Sequence, residues 1–492
     1  MSRTCKKKSL IPGFVIWIVL LLITLEFIGL LAVTKLFPVH LLLAGGLVLL
    51  TGVMIVGLLA RDFHKKIMFL TGTILSVLIL ILLVIGNLYV VKTYNTLTRI
   101  SGVNTKTSQI GIYVRSDDSA QKLDDTKGYI FGTLSELDQE NTDDAVKQIN
   151  ENFGASVDVK ALGGVTELVD SLRRGDCGAI ILNHAYLPVL EDMEDYENIS
   201  GEIREIELLA VDTVIENKKE ADDGMSEKQN PDSIIRLYIS GIDTRGSEII
   251  NSRSDVNIIA TINTDTKQVL LVSTPRDYFV PLSISDGIPD KLTHAGIYGV
   301  DVSMDTLGML YDIPLDKYFR VNFSGFIKII DALGGVDIYS DYEFTGNWGY
   351  SFSKGINHVD GEVALAFARE RYAFSEGDRQ RGKNQMEVIR AVLQKIMSPE
   401  LLSRYTDVLS AVEGCFETNF SYDRIAGLVR EQLADGRSWN IVSYSVDGTG
   451  DTQQPYSMSM NAYVMIPDQT TVDKAKMLMQ QVVDGKEINV NE

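Results

Sequence analysis

Three long hydrophobic runs open the chain: Leu10 to Val33, Leu36 to Ala60 and Ile67 to Val91. Each exceeds the roughly 20 residues that an α-helix needs to cross a bilayer core. The first is too long for the apolar stretch of a signal peptide, and two more follow it directly. The pattern therefore predicts a cytoplasmic tail over 1–9 and three transmembrane helices over 10–91. Beyond them the pattern shortens. Residues 105–215 alternate strand-like pieces (Ile110 to Val114, Ala179 to Leu182) with a helical one (Val165 to Leu172), as in a small α/β accessory domain. Residues 216–233 are almost wholly polar, end near Asn230-Pro231-Asp232, and read as a linker.

A larger domain then occupies 234–492. Three β-branched runs, Ile234 to Asp243, Asp255 to Asn263 and Gln268 to Ser273, predict strands. Helical periodicity follows at Val300 to Leu310, at Phe326 to Leu333 before Gly334-Gly335, and at Asp378 to Met397 before Ser398-Pro399. A further strand is expected over Leu365 to Tyr372. The fold class is mixed α/β: three membrane helices, the accessory domain, and a larger domain whose central sheet is flanked by helices.

Charge sharpens this picture. The formal net charge is −20. Residues 1–91 hold eight Lys/Arg against two Asp/Glu, which leaves 38 against 64, a net of −26, for the rest. So acidic a chain is no general binder of nucleic acid. Arg3, Lys6, Lys7 and Lys8 before the first run, and Arg61, Lys65 and Lys66 between the second and third, place both segments in the cytoplasm. The expected location is the cell membrane, multi-pass, with the large C-terminal part extracellular. Glu26 inside the first run is either a functional carboxylate or an acid near the outer interface or facing another helix. Of three cysteines, only Cys177 and Cys415 lie outside, so one disulfide is the most the outer part can hold. Thiol redox chemistry and a structural zinc site are both disfavoured.

Candidate chemistry gathers at strand ends. Asp243 closes the first strand of the larger domain, and Arg253 and Asp255 precede the second. The two aspartates are either turn residues or a carboxylate pair suited to Mg²⁺. Arg276 follows the third strand, and Arg369 and Arg371 share one face of the expected strand. Asp378, Arg381 and Gln385 form one stripe of the following helix, and Met386, Ile389, Leu393 and Ile396 another. Arginines gathered at one place suit a pyrophosphate, because each planar fork meets phosphate oxygens two at a time. The other reading is a set of solvated arginines paired with Glu370, Glu376 and Asp378. His294 is expected to make a loop hydrogen bond, and the aromatics of 318–326 to belong to the core or a tunnel wall.

The segments carrying these residues are GIDTRG (241–246), SRSDVNI (252–258), TPRDYFVP (274–281), KLTHAGIYGV (291–300), DALGGVDIY (331–339) and HVDGEVALAFARERYAFSEGDRQRGKNQ (358–385). In this order they resemble the LytR-CpsA-Psr family, and within it the capsule-associated CpsA/Wzg branch. The resemblance implies a phosphotransferase that moves a glycopolymer from an undecaprenyl-pyrophosphate carrier to peptidoglycan, leaving a phosphodiester link. It implies that Asp243 and Asp255 hold Mg²⁺, and that Arg253, Arg276, Arg369, Arg371, Arg381 and Gln385 bind the pyrophosphate. Catalytic roles fall to Arg276, Asp378 and Arg381. The family often has Arg where this chain has Asn384. Implied partners are the polyprenyl-pyrophosphate-linked glycan, peptidoglycan, the membrane and other capsule-assembly proteins. The competing readings are a polyprenyl-pyrophosphate phosphatase, with water as the acceptor, and a non-catalytic lipid-binding or regulatory subunit of capsule assembly.

Overall fold

The structure is a computed structural model. It describes residues 11–35, 37–60, 66–100, 105–215, 233–244, 246, 249–375, 377–396, 398, 408, 414–488 and 490. Arg3, Lys6, Lys7, Lys8, Arg61 and Lys65, nearly all of the 216–233 segment and Glu376 lie outside the described residues, as does the side chain of Asp378. The described chain forms two compact units, one of residues 1–102, 405–413 and 420–438 and one of the remainder.

The first unit holds α1 (Ile11–Val33), α2 (Val39–Leu59) and α3 (Lys66–Ile100). All three are long and apolar enough to cross a membrane. The third continues nine residues past Val91, because the polar segment Lys92 to Ile100 contains neither Gly nor Pro to stop it. Leu20, Val53, Val56 and Leu83 pack between the three helices, and Glu26 is exposed on α1. The helix Tyr422–Asp435 belongs to this unit. Its Tyr422 hydroxyl donates to the carbonyl of Thr34, its ring meets Tyr94 edge-on at 5.1 Å, and Asp423 pairs with Lys35 at 3.3 Å. The end of α1 and the end of α3 therefore lie on one side, beside that helix.

The second unit contains two large sheets and four two-stranded ones. The first comprises β1 (Thr105–Arg115), β2 (Ile130–Leu134), β3 (Asp158–Leu162), β4 (Ala179–Asn183) and β5 (Ile203–Val214), in the order β3-β2-β4-β1-β5. It is mixed: β1 runs antiparallel to β4 and β5, and β2 parallel to β3 and β4. α4 (Gln139–Phe153) and α5 (Val165–Arg174) flank it, and α6 (Leu187–Glu191) and α7 (Ile199–Glu202) lead into β5. Cys177 and Cys415 are both buried free thiols.

The second sheet is built on β6 (Ile234–Ile242), β7 (Ser254–Asn263) and β8 (Gln268–Thr274), where three strands were expected. The hairpin strands β9 (Phe279–Pro281) and β10 (Pro289–Lys291) follow, then α8 (Ala295–Tyr298), α9 (Val300–Tyr311), β11 (Lys317–Asn322) and α10 (Phe323–Ala332). Gly334 and Gly335, at φ 77° and 85°, stop α10 as the sequence indicated. β12 (Val336–Ser340) pairs with β15 (Gly355–Val359), enclosing the small hairpin of β13 (Phe344–Thr345) and β14 (Ser351–Phe352). α11 (Gly361–Arg369), α12 (Asp378–Ile396), β16 (Phe416–Thr418), β17 (Asn440–Ser445), β18 (Gly448–Gln453), β19 (Ala462–Pro467) and a last helix, Gln469–Val483, complete the chain.

The six-stranded order is β16-β11-β6-β7-β8-β17. β8 is buried at every position, which a strand covered on both faces requires. On one face Met386, Ile389 and Leu393 of α12 pack on Ile258, Ala260, Val269 and Leu271, so these three lie where the periodicity put them, while Ile396, the last of the expected stripe, is exposed. On the other, Leu307 of α9 and Val472, Leu478 and Val482 of the last helix pack on Tyr238, Ile259 and Leu270. The central sheet is thus flanked by helices, as expected.

The expected strand over Leu365 to Tyr372 is not one. Asp360 caps a helix there by accepting from the backbone N–H of Val363, and Ala364, Leu365, Ala366, Phe367 and Ala368 are all buried. A run buried on every side carries no readable period, and its alanines favour the helix. Arg369 ends α11 and Arg371 lies in the loop beyond, so the shared strand face does not exist.

Arg320 of β11 is 2 % exposed, donates to Glu417 of β16 through Nε (3.1 Å) and Nη2 (2.6 Å), and reaches Asn251 Oδ1 through Nη1 (2.9 Å). Arg320→Ala leaves Glu417 without its guanidinium and is expected to destabilise the fold by about 3 kcal/mol. Thermal unfolding of the variant against wild type checks this.

Candidate functional site

Antiparallel pairing of β6 with β7 brings the first candidates together. Gly241 opposes Val256 and Ile242 opposes Ser254, so Asp255 is the extra residue of a β-bulge. A bulge re-aims the side chain at the extra position. The strands close tightly here: a Cβ on Gly241 would stand 2.7 Å from a methyl carbon of Val256, which explains a glycine inside a strand.

Asp255 receives both contacts of Arg276 Nη1, at 3.0 and 3.1 Å, and the hydroxyl of Thr293 at 3.2 Å. Burial pushes its carboxyl up, but the guanidinium groups of Arg276, Arg253 and Arg381 outweigh burial and hold it below the ordinary carboxylate range. Arg276 thus bonds Asp255 directly, while Arg253 and Arg381 act on it through their charge. Arg253 Nη2 lies 3.9 Å from Asp243 Oδ2, so the two aspartates and Arg253 belong to one cluster. Asp277 stands 3.6 Å from Arg276 Nε and 3.5 Å from Lys291.

The other two arginines are held differently. The Arg369 guanidinium lies between the rings of Phe323 (4.4 Å) and Trp348 (4.9 Å), and Arg371 lies over the ring of Tyr372 at 4.6 Å. Glu370 between them is 5 % exposed and accepts the backbone N–H groups of Asn347 (2.7 Å), Tyr372 (2.8 Å) and Ala373 (3.0 Å). It is thus the organiser of this loop rather than an arginine partner. On α12, Gln385 is half-buried one turn beyond Arg381. Asn384 is buried, donates to the carbonyl of Phe367 and accepts from Gln380, so it fastens α12 to α11.

Sequence reasoning missed Thr293, and it read Glu370 only as a partner for arginines. Thr293 lies in the same KLTHAG segment as His294, but it is the threonine that touches the cluster. His294 is 3 % exposed and bonds Asp290 and Ser457 through Nδ1, the loop role anticipated for it.

Asp243 and Asp255 offer hard oxygen ligands, and no group of three or more His, Cys, Asp or Glu side chains gathers among the described residues. That donor set fits Mg²⁺, which takes one or two carboxylates and fills its octahedron with water and phosphate oxygens. It does not fit a closed zinc site.

A model of the LytR_cpsA_psr family matches residues 208–481. That is more than half of the chain, and the protein belongs to this family. Among similar proteins, the polyisoprenyl-teichoic acid–peptidoglycan teichoic acid transferase TagU of Bacillus mycoides is 39 % identical over 199 residues, 40 % of this chain and 63 % of that protein. The TagU of Enterococcus faecalis is 35 % identical over 211 residues, 42 % of this chain and 68 % of that protein. The chain thus spans just under two thirds of the Bacillus relative's length. Among solved structures, Bacillus subtilis TagV superposes with a TM-score of 0.44 at 26 % identity, covering 52 % of this chain and 99 % of that one.

Because the Asp255 carboxyl is depressed, its ionised form stabilises the fold above the ordinary carboxylate pKa, and that contribution is lost as pH falls through the depressed value. Asp255→Asn is therefore expected to melt below wild type at neutral pH, with the gap closing below about pH 4. Melting curves across that range check the sign.

Proposed function

We propose that the protein is a membrane-anchored phosphotransferase that moves a glycopolymer from a polyprenyl-pyrophosphate carrier to peptidoglycan. The observation that carries this reading is the cluster at the end of the central sheet in which Arg276 bonds Asp255 and Arg253 lies 3.9 Å from Asp243. The family membership and the teichoic acid transferase activity for which the TagU relatives are named support it. The CpsA/Wzg resemblance favours capsular polysaccharide as the polymer. The three basic-flanked membrane helices favour an outer location for the site, where peptidoglycan lies.

In the proposed step a hydroxyl oxygen of peptidoglycan attacks the phosphorus that bears the glycan. The P–O bond to the bridging oxygen breaks, polyprenyl phosphate departs with the electron pair, and the hydroxyl proton passes to that outgoing phosphate. Negative charge grows on the transferred and leaving oxygens, and fixed guanidinium groups stabilise it without reorganising. Arg276, braced on Asp255, and Arg381 on α12 take this catalytic role. Arg253, Arg369, Arg371 and Gln385 bind the pyrophosphate, and Asp378 at the start of α12 positions that helix's arginine. Asp255 is held ionised among cations and so makes a poor base. Asp243 and Asp255 are the residues that would hold Mg²⁺; bound there, the ion would supply further charge neutralisation. The pyrophosphate bond supplies the driving force, and the sequence holds no P-loop for a nucleotide.

The test uses the full-length protein in detergent with a lipid-pyrophosphate oligosaccharide, Mg²⁺ and peptidoglycan fragments, read by mass spectrometry. A glycan–peptidoglycan phosphodiester is the expected product. Arg276→Ala is expected to lower its rate at least about a hundredfold, and EDTA to remove it. Release of sugar phosphate without transfer would instead establish a phosphatase, and intact bound lipid a non-catalytic subunit.

A further inference from the structure

The small sheet β1–β5 shares a hydrophobic core with the larger domain. Leu172, Tyr186 and Leu190 pack in one cluster with Ala295, Ile297, Tyr298 and Val302. Polar ties cross the same boundary: Tyr186 donates to the Tyr298 hydroxyl at 2.9 Å, and Lys106 Nζ reaches Asp301 at 2.9 Å and the Tyr298 carbonyl at 2.9 Å. Contacts of this kind hold a fixed wall rather than a tethered appendage.

Two of the attachments fall on the loop that carries Arg253. Asn251, 2 % exposed, donates its backbone N–H to the Thr107 carbonyl (2.9 Å) and its Nδ2 to Ser108 Oγ (3.0 Å) of β1, while its Oδ1 accepts from Arg320. Backbone and both ends of the amide are thereby fixed. Two residues later, Arg253 Nη1 donates to Asp192 Oδ2 at 2.6 Å. Asp192 follows the last turn of α6 in the small sheet's own layer of helices. Its side chain is 65 % exposed, whereas that of Arg253 is 11 % exposed.

From this we infer that Asp192 is a positioning residue of the anion site: the small domain completes that site by holding the Arg253 guanidinium in the orientation that receives a pyrophosphate. The inference rests on the reading of the arginine cluster given above. A charge-assisted bond to one terminal nitrogen fixes the plane of the fork and leaves its remaining N–H groups to a ligand. An arginine ordered beforehand does not have to give up its rotamer freedom when the ligand arrives. Asp243, at 3.9 Å, is too distant to set that plane alone. The opposite role, a carboxylate that occupies the site and competes with phosphate, predicts effects of the opposite sign.

The experiment titrates a short polyprenyl pyrophosphate into the full-length protein in detergent, with Asp192→Ala, Asp192→Asn, Arg276→Ala and the module-surface control Asp195→Asn. Asp192→Ala is expected to weaken binding about tenfold, the order of the rotamer freedom that Arg253 must then give up when the ligand arrives. Asp192→Asn, whose amide oxygen accepts the same bond, is expected to recover most of that loss. Asp195→Asn binds as wild type, and all four variants are checked by thermal melting. Wild-type or tighter binding by Asp192→Ala overturns the inference, tighter binding marking a competing carboxylate, and a shortfall in Asp192→Asn equal to that in Asp192→Ala overturns it also. If Arg276→Ala weakens binding while Asp192→Ala does not, this inference alone falls. Should Arg276→Ala bind as wild type, the anion-site reading falls and takes this one with it.

Discussion

Everything at the site depends on one carboxylate. Arginines brought within a few ångströms of each other repel, and in a partly buried setting that repulsion is weakly screened. Asp255 offsets it, holding Arg276 Nη1 at 3.0 and 3.1 Å, while the charges of Arg276, Arg253 and Arg381 keep its carboxyl below the ordinary range. Without a fixed anion the cluster would spread apart, and the ligand would have to gather it again at the cost of its own binding. With one, the cations are already in place, and a phosphate adds to an arrangement that exists before it arrives.

The fold supplies that carboxylate through a register irregularity rather than through a loop. In a regular β6–β7 ladder, Asp255 would face a partner residue and alternate with Ser254 and Val256; the bulge frees it from the pairing and turns it toward Arg276 at the end of β8. Gly241 permits the strands to approach at that point. Arg320 and Glu417 then tie β11 and β16 to Asn251, so the loop leading into the bulge is braced from the far side of the same sheet. Strand, bulge and brace are parts of one device, and the position of Arg253 follows from all three.

Much of this was legible in the sequence. The three strands before the cluster, α12 with its apolar stripe, and the membrane helices followed from period and composition, because each has a uniform environment on at least one face. The segment around Arg369 was misread for the opposite reason: its apolar residues are buried on every side, and the alternation of Arg369 and Arg371 suggested a strand where a capped, alanine-rich helix ends. The bulge at Asp255 was not readable, since register belongs to a pair of strands and not to either alone. Asp192 left no trace either, because it lies 61 positions from Arg253 and nothing in its own segment distinguishes it from the acids around it.

The arginines divide into two kinds, and the division bears on what the site can take. Arg276 and Arg253 lean on carboxylates, which fix them but also cancel part of their charge. Arg369 is held instead over the rings of Phe323 and Trp348, which attract a guanidinium without cancelling its charge. Trp348 stays in place because Glu370 caps the backbone of Asn347 before it. A site with only carboxylate-held arginines would be near neutral and indifferent to anions, and one with only aromatic-held arginines would lack the brace that Asp255 provides. The combination sets a compact set of guanidinium groups within a stretch, residues 92–492, of net charge −26. Guanidinium groups so confined suit the compact anion of the proposed reaction better than a long polyanion, whose remaining charges would meet the surrounding acidic residues.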